Sequence, residues 1–254
     1  HDEFSYLNGN VEEEYYKEGI YVGYRYFDSF DVEPCYPFGY GLSYTDFSLY
    51  GAGVSVEGTR VQLNAIVTNI GATYSGKEVV QVYLSAPAGK LHKEYQSLVA
   101  FAKTKELAPA EDETVQMSFD MTDAASYDEE RASYILEAGE YILRLGNSSR
   151  NTVPVAVITL DKEVIVSTHC HICPITEPIE ELKSESRETE VVNPGVPRLA
   201  LKAIDFKTVK YTYNHPEVYS DERVDKFMNT LTLKEMVEIV VGIGMFGGET
   251  RFNM

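Results

Sequence analysis

The sequence predicts a mainly β protein built around a two-sheet β-sandwich of the immunoglobulin or fibronectin type III kind. Three observations over residues 46–168 predict this fold class. Several segments are rich in β-branched and aromatic residues, some of them alternate apolar with polar residues, and turn-forming stretches separate them. Some seven strands over roughly 120 residues are typical of such a sandwich.

The clearest strand has an alternation with a period of two, which indicates one buried and one solvated face. On one face lie Val61, Leu63, Ala65 and Val67, and on the other mostly Gln62, Asn64 and Thr68. Stretches such as NIGATYSGK, SAPAGK, LAPAEDE and EAGE supply the turns between strands. The four segments predicted as strands are VQLNAIVTNI (61–70), EVVQVYLSA (78–86), TVQMSFDM (114–121) and EYILRLGNSS (140–149).

The preceding segment, residues 1–45, is acidic at first and then aromatic. In the stretch 18–47, EGIYVGYRYFDSFDVEPCYPFGYGLSYTDF, ten of thirty residues are Tyr or Phe. Its glycines argue against a regular helix through the segment, so the rings are expected to pack in a seam between two domains. The glycines are Gly19, Gly23, Gly39 and Gly41, and the rings are Tyr24, Tyr26, Phe27, Phe38 and Tyr40.

After the sandwich, residues 169–219 are charged and carry prolines at 174, 178, 194 and 197. This composition predicts an extended linker that lies along a surface, with one short helical turn at 178–184.

The last segment, residues 220–254, is predicted to be helical. Ser220 is expected to cap a first helix, and Thr232 with Glu235 forms a capping box for a second one. Glycines from Gly242 onward end the second helix. The apolar face of the first helix is Val224, Phe227 and Met228, and the stripe expected to be buried in the second is Leu233, Met236, Val237, Val240 and Val241.

Charge and composition argue against several classes of function. A net charge of −18 repels phosphate backbones, so no nucleic-acid partner is expected. There is no run of about 18 apolar residues, so no membrane span is expected. The first residues lack a basic and then apolar leader, and the Cys count of three is odd, which together favour a reducing, cytoplasmic location.

The residues alone offer little chemistry. The string His169, Cys170, His171 and Cys173 resembles a zinc ligand set, but four donors within five residues do not wrap a tetrahedron, and a strand end is the favoured interpretation. Forty Asp and Glu residues provide many chance carboxylate pairs, and no motif fixes one of them. We therefore predict no metal, no cofactor and no catalytic residue within the chain.

Several motifs carry a family resemblance. EGIYVGYRYFD (18–28), followed by YPFGYGLSYTDF (36–47), resembles the end of the α/β-sandwich domain of glycoside hydrolase family 3, the β-glucosidase family. GKEVVQVYLSAPAG (76–89), and later segments as far as EAGEYILRLGNSS (137–149), are similar to the fibronectin type III-like domain of that family. The tail, VDKFMNTLTLKEMVEIVVG (224–242), looks like the approach to its (β/α)8 barrel.

This order of domains resembles the permuted subgroup of the family. It implies a mainly β fold with flanking partial α/β segments: the end of the α/β-sandwich domain at 1–45, the fibronectin-like sandwich at 46–168, a linker at 169–219 and the start of the barrel at 220–254. The parent would be a retaining exo-β-glucosidase, without a cofactor, that acts on β-glucosides or cello-oligosaccharides. Its remaining α/β-sandwich and barrel domains would be the partners of this segment.

The catalytic carboxylates of the family have no match in this chain. The nucleophile is an Asp in an S-D-W setting, but the chain has no Trp, and Ser220-Asp221 is followed by Glu222. The acid/base Glu lies upstream of the first motif, where Glu12, Glu13, Glu14 and Glu18 stand too close to it to be assigned. The chain alone is thus expected to be inactive. The alternatives are a stand-alone β-sandwich module that binds carbohydrate or protein and, more remotely, a small zinc protein built on residues 169–173.

Overall fold

A computed structural model of the chain describes residues 16–172, 178–184, 192–212 and 221–242. The chain divides into two compact units, His1–Tyr211 and Thr212–Met254. The first unit contains these strands, in chain order: β1 Phe47–Glu57, β2 Arg60–Asn69, β3 Val79–Ser85, β4 Ser97–Lys103, β5 Asp112–Asp120, β6 Ser126–Asp128, β7 Ser133–Leu136, β8 Gly139–Ser148, β9 Asn151–Leu160, β10 Val164–Thr168, β11 Arg198–Leu201 and β12 Val209–Lys210.

Two sheets form the sandwich, and the fold class predicted from the sequence is confirmed. One sheet has three strands in the order β1-β2-β5, and the other has five in the order β11-β9-β8-β3-β4. Every pair is antiparallel except β9 with β11, which run parallel. All four predicted strand segments are present, as β2, β3, β5 and β8.

The core lies between the inward faces of these two sheets. The predicted alternation of β2 is observed, because Val61, Leu63, Ala65 and Val67 are at most 2% exposed. Their neighbours in the same cluster include Val80 and Val82 of β3 and Leu143 and Leu145 of β8. Full burial of each such aliphatic side chain contributes about 1.5–3 kcal/mol.

The region 46–168 contains more strands than the sequence predicted. The additional ones, β6, β7 and β10, build a third small sheet in the order β12-β10-β7-β6. These strands are three to five residues long and lack a clear alternation, so the sequence pattern did not predict them.

The N-terminal segment has a helix that the sequence did not predict. Helix α1, Tyr24–Ser29, begins directly after Gly23, whose φ of 60° is in the left-handed region. The glycines thus bound a short helix, as well as preventing a long one.

The predicted linker adds two strands to the first unit: β11 pairs with β9, and β12 pairs with β10. The helical turn predicted at 178–184 was wrong, since these residues carry no helix. Their backbone instead bonds to the N-terminal segment, where the Leu182 N–H donates to the Lys17 carbonyl over 2.8 Å. This contact favours an extended conformation over a local turn. The domain boundaries themselves stay a prediction.

In the second unit, helix α2 spans Glu222–Met228 and helix α3 spans Leu233–Val241. Asp221, rather than the predicted Ser220, caps α2: its carboxylate accepts the Arg223 N–H, while Ser220 lies outside the described residues. The predicted capping box of Thr232 and Glu235 is confirmed.

The apolar stripe of α3 differs from expectation. It was predicted to be buried, but Leu233, Val237, Val240 and Val241 are 50–85% exposed and Met236 is half-buried. The apolar residues of α2 are also exposed, at 43–51%. Both helices form as predicted because caps and helix propensity are local properties, whereas burial requires a surface to pack on. Across the described ranges, neither these helices nor α1 is long and apolar enough to cross a bilayer.

Candidate functional site

The junction between the N-terminal segment and the sandwich is centred on an ion pair. Asp28 of α1 is 2% exposed, and its Oδ1 lies 2.9 Å from Nε of Arg150, which follows β8. Nη2 of Arg150 also donates to the carbonyls of Phe27 and Val32, each over 2.8 Å. One guanidinium therefore holds both the side chain and the backbone of the α1 region.

A buried amide extends this network into the sandwich. Gln96 is fully buried, and its Nε2 donates to Oδ2 of Asp28 over 3.1 Å and to the Ser149 carbonyl. The Tyr95 N–H donates to Oγ of Ser29 over 2.9 Å, and the Leu98 N–H donates to Oη of Tyr24 over 2.9 Å. Helix α1 is thus fixed to the start of β4 and to the residues just before it.

The glycine-rich loop 37–45 is attached through Gln81 of β3. The amide Nε2 of Gln81 donates to the carbonyls of Asn147 (2.7 Å) and Gly39 (3.4 Å). Gly39 has a φ of 82°, which strains any other residue, and a Cβ there would have to displace the Gln81 amide. A further bond, from the Ser149 N–H to the Phe38 carbonyl, closes the loop over the β8–β9 turn.

The aromatic residues of this segment divide into two groups. Tyr26 is buried, and Tyr24 and Phe27 are half-buried, as expected for rings in a seam. Phe38 and Tyr40 were expected to pack in the same way, but they remain 48% and 51% exposed. The loop is held by its backbone, which leaves these rings half exposed, although Phe38 stacks on Tyr24 with ring centroids 4.7 Å apart.

Among the described residues of this unit, the buried carboxylates are each paired with a cation. Asp28 faces Arg150, Asp128 lies 2.7 Å from Arg131 Nε, and Glu137 lies 2.5 Å from Lys93 Nζ. Burial raises the pKa of Glu137. The Lys93 side chain and the N–H groups of Lys90 and Leu91 together lower it by more, so that its pKa is below the ordinary value. Hydrogen bonds from Arg131 likewise lower the pKa of Asp128. Carboxylates locked in the ionised form do not serve as general acids at neutral pH.

The histidine- and cysteine-containing stretch lies just after β10. His169 stacks on Tyr211 with ring centroids 4.8 Å apart, and its Nε2 lies 2.9 Å from Oγ of Ser167. Cys170 and His171 are exposed, and Cys173 falls outside the described residues. Within the described part of the chain, no group of three or more His, Cys, Asp or Glu residues could hold a metal ion.

This chain is similar to known proteins in both a domain family and whole sequences. Residues 78–149 match the fibronectin type III-like domain family. A β-glucosidase of Ruminococcus albus is 41% identical over 174 residues, which are 66% of this chain and 18% of that protein.

Two solved structures are similar in both fold and sequence. The β-glucosidase of Paenibacillus barengoltzii superposes with a TM-score of 0.59 at 42% identity, over 61% of this chain and 18% of that one. β-Glucosidase 3B of Thermotoga neapolitana, in complex with α-D-glucose, superposes with a TM-score of 0.54 at 43% identity, over 62% of this chain and 22% of that one. The chain thus spans about a fifth of the length of these relatives.

Proposed function

We propose that this chain is a segment of a glycoside hydrolase family 3 β-glucosidase, a retaining exo-β-glycosidase that removes terminal β-D-glucosyl residues. The observation that carries the proposal is the match of residues 78–149 to the fibronectin type III-like domain, in a chain of which 66% aligns with a β-glucosidase at 41% identity.

In this proposal, the segment is structural. Its buried carboxylates are occupied by Arg150, Arg131 and Lys93, and a retaining glycosidase needs two carboxyl groups about 5–5.5 Å apart across the sugar. We infer that neither catalytic group is supplied by the described residues.

The test compares the chain with the full reading frame that encodes it. The full product should hydrolyse an aryl β-glucoside and release the β-anomer first, which NMR of the fresh product detects. The purified 254-residue chain should show no turnover above a heat-inactivated sample. A full product without hydrolysis would reject the proposed activity, and turnover by the short chain would reject its structural role.

We also propose that the exposed stripe of α3 docks onto another domain of the same enzyme. The stripe offers Leu233, Val237 and Val240 to solvent, and about four-fifths of the length of the relatives lies outside this chain. Replacing Val237 and Val240 by Gln in the full-length enzyme should lower its Tm. The control is Ile204→Gln, since Ile204 is 87% exposed in the first unit; equal shifts for both variants would contradict docking.

A second candidate function is that of a non-catalytic carbohydrate-binding module. One feature favours it, a cleft beside Tyr40 whose lining includes Glu78, Asn147 and Asn151.

A further inference from the structure

An open cleft of about 540 Å³ lies at the end of the sandwich where the N-terminal segment joins it. One wall is the loop 37–43, and the other is formed by the start of β3, the end of β4 and the β8–β9 turn. Its volume is in the range of about 300–1,000 Å³ that is typical of small-molecule sites.

The wall on the sandwich side presents a connected row of amide and carboxylate groups. Oε2 of Glu78 accepts from Nδ2 of Asn147 over 3.3 Å, and Oδ1 of Asn147 accepts from Nδ2 of Asn151 over 2.8 Å. Oε1 of Glu78 is held by the Val79 N–H at 2.8 Å. These bonds orient the row, because each group in it is fixed by its neighbour.

Two lysines add donors to the same cleft. Lys77 and Lys103 both line it and are exposed, and neither forms an ion pair with the described residues. The cleft thus presents ammonium and amide N–H donors beside carboxylate and amide acceptors. A ligand that meets all of them must itself carry groups that both donate and accept, as hydroxyl groups do.

The loop side supplies an aromatic surface. Tyr40 lines the cleft, is 51% exposed and lies against Tyr36, with ring centroids 5.3 Å apart. The loop is fixed at its base by Gln81, so the ring is carried by an anchored backbone. An anchored ring beside polar groups suits a ligand with an apolar face and a polar edge.

We propose that this cleft is a non-catalytic binding site for a neutral sugar. The C–H face of the sugar would stack on Tyr40, and neighbouring hydroxyl groups would bond to Glu78, Asn151 and the two lysines. Arg150 also lines the cleft, but Asp28 and Asp31 pair with its guanidinium, and Glu78 offsets one of the two lysines. An anion is therefore the competing ligand, and the titration below includes one. The lining of the cleft supports a neutral sugar as the ligand. That this sugar is a β-linked glucose oligomer rests on the proposed function.

The probe is cellobiose, titrated into the 254-residue chain with amide NMR shifts as the readout. Shifts are expected at residues 37–43, 77–79 and 147–151, with a Kd in the millimolar range. Asn151→Ala and Tyr40→Ala should each weaken binding about two- to tenfold, the amount that one neutral contact contributes. Tyr50→Ala is the matched control, since Tyr50 is 69% exposed on β1 and does not line the cleft.

The inference would be overturned by no shifts up to the solubility limit of cellobiose, by shifts confined to other surfaces, or by equal weakening in the Tyr50 variant. Inorganic phosphate is titrated in parallel, and tighter binding of phosphate at the same amides would show an anion site instead. Failure of cellobiose binding with hydrolysis by the full-length enzyme intact would reject this inference alone. Absent hydrolysis with binding intact would reject only the proposed activity.

Discussion

Asp28 shows how a single residue can fix a segment of the chain. Its carboxylate is almost fully removed from water and faces Arg150 and Gln96. Removal of this carboxylate takes away the buried charge partner of Arg150 and leaves it the exposed Asp31 and two carbonyl acceptors. Breaking a buried pair in this way costs more than the pair itself contributes.

We therefore expect Asp28→Ala to lower the free energy of unfolding by about 2–4 kcal/mol, slightly less than for a fully buried pair because Arg150 keeps 26% exposure. Chemical denaturation measures this. The control is Glu140→Ala, which breaks the pair with Arg198, where both side chains are about half exposed; it should cost less than about 1 kcal/mol. Equal costs for the two variants would contradict the account.

Glu137 makes the stability depend on pH. Its pKa in the folded state is lowered below 4.5, so its contribution is present above that pH and is lost as the pH falls through the folded value. The difference in unfolding free energy between the wild type and Glu137→Gln should therefore be largest near neutral pH and shrink below pH 4.5. Denaturation at pH 7, 5 and 3 checks this, and a constant difference would refute it.

These residue-scale roles could not be predicted from the sequence. Asp28 stands in a motif that indicates the family, but its partner Arg150 is far along the chain and carries no local signal. The rings of the same motif were only partly predicted, since Tyr26 is buried whereas Tyr40 is half exposed. Ring content predicts packing, but not which rings a backbone-anchored loop leaves outside.

At the scale of elements, β2 shows why alternation is a dependable signal. Leu63 is 2% exposed between the two sheets, and Leu63→Ala should lower the free energy of unfolding of the sandwich by about 2–5 kcal/mol. Leu233→Ala makes the same change at a side chain that is 75% exposed, and it should shift this transition by less than about 0.5 kcal/mol. Denaturation followed by far-UV dichroism at strand wavelengths measures both, and similar shifts would contradict the position of Leu63 in the core.

Short elements escaped prediction for a common reason. Helix α1 has six residues and strand β12 has two, and both are stabilised by tertiary contacts instead of their own periodicity. The Ser29 side chain bonds to Tyr95 just before β4 and the Tyr24 side chain bonds to Leu98 within β4, and β12 pairs with β10. The capping box of α3 was predictable because all its atoms lie within four consecutive residues.

At the scale of the whole molecule, the exposed apolar stripe of α3 should give the chain a surface that binds apolar molecules. Contiguous apolar surface on a soluble protein binds hydrophobic dyes and partners. We expect the folded chain to enhance ANS fluorescence, and Val237→Gln with Val240→Gln to reduce the signal by at least about half. Ile204→Gln is the control, and a signal unchanged by the double variant would show that the dye binds elsewhere.

Strand β11 has a consequence for the order in which the chain folds during synthesis. It completes the five-stranded sheet beside β9, yet Arg198 is made well after Leu160. At about 5–20 residues per second, the ribosome needs roughly two to eight seconds to cover that interval. Until then the edge of β9 is open to other nascent chains. A slow ribosome, or a pause between these two residues, would therefore extend the time during which aggregation competes with folding.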